Sequence, residues 1–173
     1  MNLTSARIDT PCGSWFAVME DEDLVILALD AECEKRALAR RFPGVDPKPA
    51  RRNHPVLTAI SAYLEGDIGA LDRIPVKTAG TAFQEKVWKA LRRIPAGKPI
   101  SYAALAVKIG MPTAVRAVAN ANAQNPVAIV VPCHRVIAKD GSLCGFGGGL
   151  PMKKWLLTHE GWSDESGSRL PGL

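Results

Sequence analysis

Prolines and glycines divide the second half of the sequence into short segments, and this spacing leaves room only for short helices. Three segments have helical composition, and each is followed by a stop that contains proline or glycine: residues 82–94, 102–109 and 114–124. Ser101 and Thr113 precede the second and third segments, and both residue types cap helix N termini. The last two segments, joined by a glycine-containing turn, predict a helix-turn-helix.

The third of these segments, AVRAVANANAQ, has an unusual composition for a helix that reads a DNA sequence. Recognition helices in the major groove carry long polar side chains, whereas Arg116 is the only long side chain here. Small residues permit a close approach to the narrow minor groove, which favours the reading of shape and phosphates. The alternative is that the alanines pack against the protein core, which their helix propensity allows equally well.

The first half has the pattern of a small α/β domain. SWFAVME and DLVILALD are rich in β-branched and aromatic residues and flank the turn DED, which predicts an antiparallel pair. Helices are predicted over AECEKRALARRF and HPVLTAISAYLEG, with a proline-rich loop between them. The composition changes near residues 75–82, so we predict domains at 1–78 and 79–162 and a polar tail at 163–173.

Positive charge is concentrated in the second half of the sequence. Residues 1–80 carry 10 Lys/Arg and 12 Asp/Glu, whereas residues 81–173 carry 12 Lys/Arg and 5 Asp/Glu, a net charge of +7. From Lys86 to Lys139 there are nine basic residues and no acidic one. A field of one sign favours a polyanion such as DNA, although a solvated basic face gives the same count.

The sequence also indicates the cellular compartment of the protein and the oxidation state of its cysteines. The N-terminal segment lacks the apolar stretch of a signal peptide, and no apolar run is long enough to cross a bilayer. We therefore expect a cytoplasmic protein that does not bind membranes. The four cysteines, at positions 12, 33, 133 and 144, show neither CxxC nor disulfide-rich spacing, so reduced thiols are expected.

The stretch NPVAIVVPCHRVIAKDGS places a thiol, an imidazole and a guanidinium side by side at Cys133, His134 and Arg135. The apolar run before them predicts a buried strand that ends at Pro132. His134 is the adjacent candidate base, and Glu160, at the end of the apolar helix WLLTHE, is the candidate carboxylate that orients it. These residues alone leave four interpretations of Cys133 open. It is an inert core thiol, a metal ligand, a nucleophile that is regenerated after each reaction, or a nucleophile that reacts once.

Several motifs together resemble the O6-alkylguanine-DNA alkyltransferases, the methylated-DNA–protein cysteine methyltransferases: NPVAIVVPCHRVI, GFGGG and KKWLLTHEG. GTAFQEKVWKALRRIPAGKPISYAALA and RAVANANAQNP match that family in order and spacing. The resemblance covers residues 76–162 and is strongest to the bacterial single-function members, since no regulatory segment with zinc cysteines precedes it. It implies an α+β fold, with a ribonuclease H-like N-terminal domain and a winged helix-turn-helix-like C-terminal domain that carries the active site.

The resemblance also implies roles for individual residues. Cys133 accepts the alkyl group, and His134, held by Glu160, takes the thiol proton through a water molecule. Asn125 supports the turn before the active site, and Tyr102 donates its hydroxyl hydrogen to the flipped guanine. The residues implied at the substrate or the DNA are Arg116, Arg135, Ser101, Ala103, Ala114, Gln84, Lys139, Phe146, Gly147 and Gly148.

The implied function is direct DNA repair. An alkyl group moves from O6-alkylguanine, and from O4-alkylthymine, to Cys133 after the nucleotide is flipped from the minor-groove side, and Arg116 fills the gap. An alkylated cysteine is a thioether without a thiolate to regenerate, so the transfer consumes the protein. The expected partner is duplex DNA with alkylated bases, bound by a monomer, with cooperative binding left open. No cofactor and no metal are expected.

The chain departs from the family pattern in the glycine loop. Phe146 stands where many relatives have a tyrosine, so one hydroxyl is lost and the substrate range stays open. The zinc ligands of some vertebrate relatives have no counterpart here. Cys12, Cys33 and His54 could in principle gather a metal, but no metal-ligand spacing is present.

Three other functions fit parts of the sequence. An alkyltransferase-like damage-binding protein would lack the acceptor cysteine, which is present here as Cys133. A transcription regulator would need base-reading side chains, and residues 114–124 offer few of them. A thiol hydrolase would process many substrates per chain, so a turnover assay distinguishes it from a protein that reacts once.

Overall fold

The computed structural model describes residues 2–163, which fold into two compact units. The described part of the first unit contains residues 2–79 and 126–130, and that of the second contains residues 80–125 and 131–163. The sequence prediction placed residues 126–130 in the second domain, and the structure corrects this. The segment joins the first unit because Leu27 N donates to Pro126 O (3.0 Å) and Ala128 N donates to Leu27 O (3.1 Å).

The first unit is built on a four-stranded sheet. Its strands are β1 (Leu3–Thr10), β2 (Gly13–Glu20), β3 (Asp23–Ala28) and β4 (Lys48–Pro49), in the order β3-β2-β1-β4. The predicted antiparallel pair, β2 with β3, is confirmed. Strand β1 also pairs antiparallel with β2, whereas β4 is parallel to β1. The sequence did not predict β1, because LTSARIDT is mostly polar and only Leu3 in it is buried.

Helices α1 (Ala31–Arg41) and α2 (Pro55–Leu64) and a 3-10 segment (Ile68–Arg73) complete the described part of the first unit. Both predicted helices are confirmed, and side chains cap both: Asp30 caps α1 and His54 caps α2. The proline-rich loop between them contains the short strand β4.

His54 has a structural role. Its Nδ1 accepts a hydrogen bond from Val56 N (3.3 Å), and its Nε2 lies 3.0 Å from Asp21 O. Both ring nitrogens are therefore engaged within the protein. Within residues 2–163, no group of three or more His, Cys, Asp or Glu side chains could hold a metal ion, so Cys12, Cys33 and His54 do not form one.

The described part of the second unit holds four helices and a two-stranded ladder. The helices are α3 (Ala82–Leu91), α4 (Tyr102–Lys108), α5 (Val115–Ala123) and α6 (Leu150–His159), and strand β5 (Ile100–Ser101) pairs in parallel with β6 (Val136–Ile137). The three short helices predicted from the proline and glycine spacing are confirmed. Helix α3 ends at Leu91 rather than at residue 94.

The predicted N-terminal cap is present on α4 and absent from α5. Ser101 Oγ accepts from Ala104 N (3.1 Å) and caps α4 as expected. Thr113 does not cap α5, whose N-cap position is Ala114 and has no side-chain hydrogen bond. The helix begins one residue later than predicted because a turn, closed by Ala114 N donating to Met111 O (2.9 Å), precedes it.

Helices α3 and α5 pack together through Trp88. The indole Nε1 donates to Ala121 O (2.9 Å). The indole ring also lies so close to Gly80 that a Cβ at that residue would overlap it. The buried face of α5 consists of Val118, Ala121 and Asn122.

Two further predictions concern the chain as a whole. None of the helices within residues 2–163 has the length and apolar character needed to cross a membrane. The predicted polar tail begins at Ser163, and the rest of it lies outside the described residues.

Candidate active site

The segment that leads to the active site is a series of turns. Val127 pairs with Leu27 in an isolated parallel bridge rather than in a continuous strand. Ile129 then adopts a left-handed backbone conformation (φ 73°), which is rare for a β-branched residue and indicates local strain. Cys133–Arg135 form a 3-10 turn. The prediction of a buried strand up to Pro132 is therefore wrong, because an apolar run indicates burial without fixing the backbone conformation.

Cys133 is nearly buried, with 8% of its surface exposed. Two asparagine side chains hold the backbone around it: Asn125 Nδ2 donates to Val131 O (2.7 Å), and Asn122 Nδ2 lies 3.5 Å from Cys133 O. A thiol that is shielded in this way reacts only with a group that is brought against it in a fixed geometry.

His134 and Arg135, which follow this thiol in the chain, form a buried network with Glu160. His134 Nε2 lies 3.0 Å from Glu160 Oε1. Arg135 Nε and Nη2 donate to the two Glu160 oxygens, each at 2.9 Å, and Nη1 donates to Ile94 O at 2.7 Å. The side chains of His134 and Glu160 are 0% exposed. Charges at this depth require such partners, because an uncompensated buried charge is strongly destabilising.

The network sets the protonation states of its members. Burial alone would raise the pKa of Glu160, but the hydrogen bonds and charges of His134 and Arg135 outweigh it and lower that pKa to about 2. Burial lowers the pKa of His134 despite the neighbouring carboxylate. At neutral pH the carboxylate is therefore ionised and the imidazole is neutral.

These states determine which ring nitrogen carries the proton. A carboxylate only accepts hydrogen bonds, so His134 Nε2 must carry the ring proton and donate it to Glu160. The other ring nitrogen, Nδ1, is buried and has no hydrogen-bond partner among residues 2–163. It is the atom of this network that can take up a proton.

Arg135, which the resemblance implies at the substrate or the DNA, lies inside the second unit. Its side chain is 7% exposed, and its guanidinium donates to Glu160 and to the main chain. The physical reason is that a buried carboxylate needs a cation and several donors to stay ionised. The sequence shows an arginine close to a cysteine. It does not show that the arginine is paired with a buried carboxylate, Glu160.

The loop after α3 fixes Glu160 from the main-chain side. Gly97 has a φ of 74°, and a Cβ at this position would lie 2.7 Å from Glu160 O. Neither the left-handed backbone nor the close contact suits a residue with a side chain. Ile94, in the same loop, accepts the hydrogen bond from Arg135. The loop at residues 94–97 therefore positions both members of the ion pair.

A second polar cluster surrounds Tyr102. This residue begins α4 directly after β5, and β5 pairs with β6, the strand that follows the active-site turn. Tyr102 is half-buried, and the side chains of Cys144 and Asn122 both influence the pKa of its hydroxyl. Burial, followed by the interaction with Cys144, raises the pKa of Tyr102 above its ordinary value. The hydroxyl is therefore protonated at neutral pH and can donate a hydrogen bond.

Lys153 is a fully buried member of this cluster that the sequence analysis missed. Its Nζ donates to Val136 O (2.6 Å) and Cys144 O (3.2 Å) and lies 4.0 Å from Cys144 Sγ. Burial lowers its pKa, whereas the electrostatic effects of Cys144 and Cys133 oppose that shift. The only signal in the sequence is a lysine on the apolar face of LPMKKWLL. Asn122 and Cys144 were missed as well, because nothing local distinguishes them.

Some of the residues implied at DNA are exposed. Arg116 lies on the exposed face of α5, Ala103 is exposed in the first turn of α4, and Lys139 is exposed after β6. Ala114, before α5, is half-buried. Seven of the nine basic side chains between residues 86 and 139 are exposed: Lys86, Lys89, Arg93, Lys98, Lys108, Arg116 and Lys139.

Two other residues implied at DNA have structural contacts. Ser101 caps α4. Gln84 completes a capping box with Thr81, and its Nε2 donates to Gln124 Oε1 (2.5 Å). Their side chains stabilise the helices of the second unit, whatever else they contact.

The glycine loop has one position that requires glycine for the fold itself. Gly149 has a φ of 89° and donates its N–H to Phe146 O (2.9 Å), which closes the turn before α6. A Cβ at Gly145 or Gly147 would meet nothing within 4 Å. Phe146 and Gly148 are half-buried. The absence of side chains at these glycines therefore leaves space beside the main chain that a flat ligand could use.

The chain is similar in sequence to known proteins. Residues 82–162 match the profile of a family described as 6-O-methylguanine DNA methyltransferase, DNA binding domain. The chain is 38% identical over 168 residues to a methylated-DNA–protein-cysteine methyltransferase of Salmonella typhimurium, covering 94% of this chain and 98% of the relative.

Two crystal structures of Mycobacterium tuberculosis proteins are similar to this chain. An O6-methylguanine methyltransferase is 32% identical with a TM-score of 0.74, and the match covers 98% of this chain and 96% of that one. A protein named OGT, solved in complex with DNA, is 35% identical with a TM-score of 0.75, and the match covers 91% of this chain and 92% of that one.

Proposed function

The chain belongs to the family of methylated-DNA–protein-cysteine methyltransferases, and we propose that Cys133 is its alkyl acceptor. The reaction is direct DNA repair, in which an alkyl group leaves O6 of a guanine in DNA and is fixed on the protein's own cysteine. The observation that carries the assignment of Cys133 is the adjacent buried base. One nitrogen of His134 is fixed on Glu160, and Nδ1 remains to take a proton.

The first part of the reaction activates the thiol. His134 Nδ1 takes the Cys133 proton through a water molecule, and Glu160 stabilises the imidazolium that forms. The thiolate then attacks the alkyl carbon. A sulfur–carbon bond forms, the carbon–O6 bond breaks, and its electron pair goes to the guanine. The guanine takes one proton, so the net change moves the alkyl group to sulfur and the thiol proton to the base.

Tyr102 stabilises the departing base. Negative charge develops on the guanine as the carbon–O6 bond breaks, and a donor aimed at that charge lowers the barrier. The raised pKa of Tyr102 keeps its hydroxyl protonated for this purpose. The same chemistry applies to O4-alkylthymine, which also carries its alkyl group on an exocyclic oxygen.

Helices α4 and α5 form a helix-turn-helix of the winged type that binds the minor groove. Support comes from the exposed face of α5, where Ala117, Asn120 and Ala123 are small and Arg116 is long. Small residues permit close approach, and Arg116 fills the gap that the flipped nucleotide leaves. The space beside Gly145 and Gly147 receives the flipped base.

The first unit has a ribonuclease H-like fold in this proposal. Its strand order, β3-β2-β1-β4, with β1–β3 antiparallel and β4 parallel to β1, supports the assignment. No residue of this unit is given a chemical role.

The experiment that tests the proposed function is a titration with a duplex oligonucleotide that contains one O6-methylguanine. We expect one methyl group per protein, located on Cys133 by mass spectrometry, because the thioether cannot regenerate a thiolate. Cys133→Ser should abolish transfer and retain DNA affinity, since the DNA-binding surface is on α4 and α5. Cys12→Ser, which changes a thiol of the first unit, should leave both unchanged.

Three results would contradict the proposal. Methyl transfer by the Cys133→Ser variant would show that another group is the acceptor. Repair of many oligonucleotides per protein would identify a turnover enzyme. Equal loss of DNA binding and transfer in Cys133→Ser would show that the cysteine is structural.

A further inference from the structure

Helix α3 carries a row of basic side chains on its exposed face. Lys86 and Lys89 are exposed on the helix, and Arg93 is exposed in the turn that continues it. Arg93 N donates to Ala90 O (3.1 Å), so the chain keeps a helical course up to this residue. Residues three and four apart share one face of a helix, which brings the three basic side chains together. We call Lys86, Lys89 and Arg93 the α3 stripe.

The charge of the α3 stripe is not balanced by carboxylates. The ion pairs among residues 2–163 involve none of its three side chains. Glu85, the acidic residue of α3, is directed elsewhere, because its Oε1 accepts from Gly80 N (2.8 Å) before the helix. Like charges at these spacings repel each other. The helix dipole favours Lys89, in the last turn, but its effect does not extend to Lys86, so helix stability does not explain the stripe.

Helix α1 of the first unit shows a different pattern. Its basic residues alternate with Glu32 and Glu34, and Lys35 Nζ lies 3.2 Å from Glu32 Oε1. Arg36 Nη2 donates to Cys33 Sγ (3.1 Å). The unbalanced charge of the α3 stripe is therefore not a general property of the exposed helices of this chain.

The α3 stripe is separate from the face of α5 that is proposed to bind the minor groove. Helix α3 is fixed on α5 by Trp88 Nε1, which donates to Ala121 O (2.9 Å), and by Gln84 Nε2, which donates to Gln124 Oε1 (2.5 Å). Gln84 and Trp88 lie four residues apart on one face of α3, and Lys86 is about half a turn away from both. The stripe therefore points away from the contacts with α5.

We propose that the α3 stripe is a second DNA-binding surface, which contacts phosphates outside the groove that holds the lesion. The proposal rests on DNA as the partner in the proposed function. From Lys86 to Arg93 the chain rises about 10 Å, and duplex DNA of that length carries about six phosphate charges. Three cations that a helix holds in a row match such a regular row of anions. Contacts of this kind add affinity without reading the sequence.

The test measures how the affinity for an undamaged duplex depends on salt concentration. Each phosphate contact contributes about 0.9 to the steepness of log K against log salt concentration. Lys86→Gln/Lys89→Gln/Arg93→Gln should therefore reduce the steepness by about 2 to 3, and Lys86→Gln alone by about 1. Lys86→Arg/Lys89→Arg/Arg93→Lys, which keeps three cations, should bind like the wild type. The single variant decides the matter if the triple variant does not fold.

A matched control removes the same net charge from the first unit. Lys35→Gln/Arg36→Gln/Arg40→Gln changes three exposed basic residues of α1 and should leave the steepness almost unchanged. Single-turnover transfer at saturating O6-methylguanine DNA should keep the wild-type rate in both triple variants, because the network of His134 and Glu160 does not include either set of residues.

Equal changes of steepness in the stripe variant and in the α1 control would show an effect of net charge alone and would overturn the proposal. Weaker binding by the variant that keeps three cations would overturn it as well, since phosphates attract lysine and arginine alike. A wild-type protein that shows no methyl group on Cys133 would contradict the proposed function instead, whereas a difference in steepness between the two triple variants would still support the stripe.

Discussion

The two units of this chain differ in what they bury. Among residues 2–163, the first unit has one buried side chain of the polar or charged class, His54, which caps a helix. The second unit buries five: Asn122, His134, Arg135, Lys153 and Glu160. Buried ionisable groups reduce stability unless they are fully paired. Their concentration in the second unit therefore indicates that the functional site lies there.

Two arginines illustrate the same difference. Arg41, in the first unit, is half-buried, and its Nη1 donates to Val25 O (2.7 Å) and Thr78 O (3.1 Å). It ties neutral main-chain segments together. Arg135, in the second unit, is buried against the Glu160 carboxylate, whose pKa His134 and Arg135 together lower against the effect of burial. An arginine side chain therefore links main-chain segments in the first unit, whereas in the second unit it helps to keep a carboxylate ionised.

The largest effect that separates the two units is expected from Glu160→Ala. Removing the carboxylate leaves Arg135 as an uncompensated buried charge, which should lower the free energy of unfolding by about 3–5 kcal/mol. His54→Ala, the corresponding change in the first unit, removes a helix cap and should cost only about 1 kcal/mol. Urea denaturation measures both, with Glu65→Ala as the exposed glutamate control. Equal destabilisation by Glu160→Ala and His54→Ala would remove the distinction between the units.

A smaller effect is expected from Arg116→Ala, which tests an exposed charge of the second unit. The variant should repair O6-methylguanine in duplex DNA about 10- to 100-fold more slowly, because the side chain offsets the cost of unstacking a nucleotide. Reaction with free O6-benzylguanine, which needs no unstacking, should be nearly unchanged. Arg52→Ala, an exposed arginine of the first unit, is the control. Equal slowing with both substrates would show that Arg116 supports the fold instead.

The smallest effect concerns the product of the reaction. Methylation adds volume at a sulfur that is 8% exposed, and small-to-large changes in packed regions cost about 1–3 kcal/mol. The methylated protein should therefore melt at a lower temperature than the unreacted protein, with the loss confined to the second unit. The comparison is made after removal of DNA, with protein exposed to an unmodified oligonucleotide as the control. An unchanged or higher midpoint would show that the Cys133 pocket has room for the methyl group.

Local chemistry was predictable from the sequence. Proline and glycine stops gave the three short helices of the second unit, and Ser101 was identified as a cap, because turns and caps depend on residues close in the chain. The hairpin of β2 and β3 was predicted from its β-branched segments and acidic turn. The sequence also selected Cys133, His134 and Glu160, which remain predictions as to role, although the structure brings His134 and Glu160 within 3.0 Å.

Burial and long-range pairing were decided only by the tertiary structure. The sequence did not predict β1, the pairing of residues 126–130 with β3, or the internal position of Arg135. It also did not distinguish Lys153 from its neighbour Lys154, although only Lys153 is fully buried. The physical reason is that the residue type fixes how much hydration free energy a charge loses when it is buried. The partners that compensate for this loss lie far away in the chain. Only the folded arrangement of Glu160, Ile94 and Val136 supplies those partners.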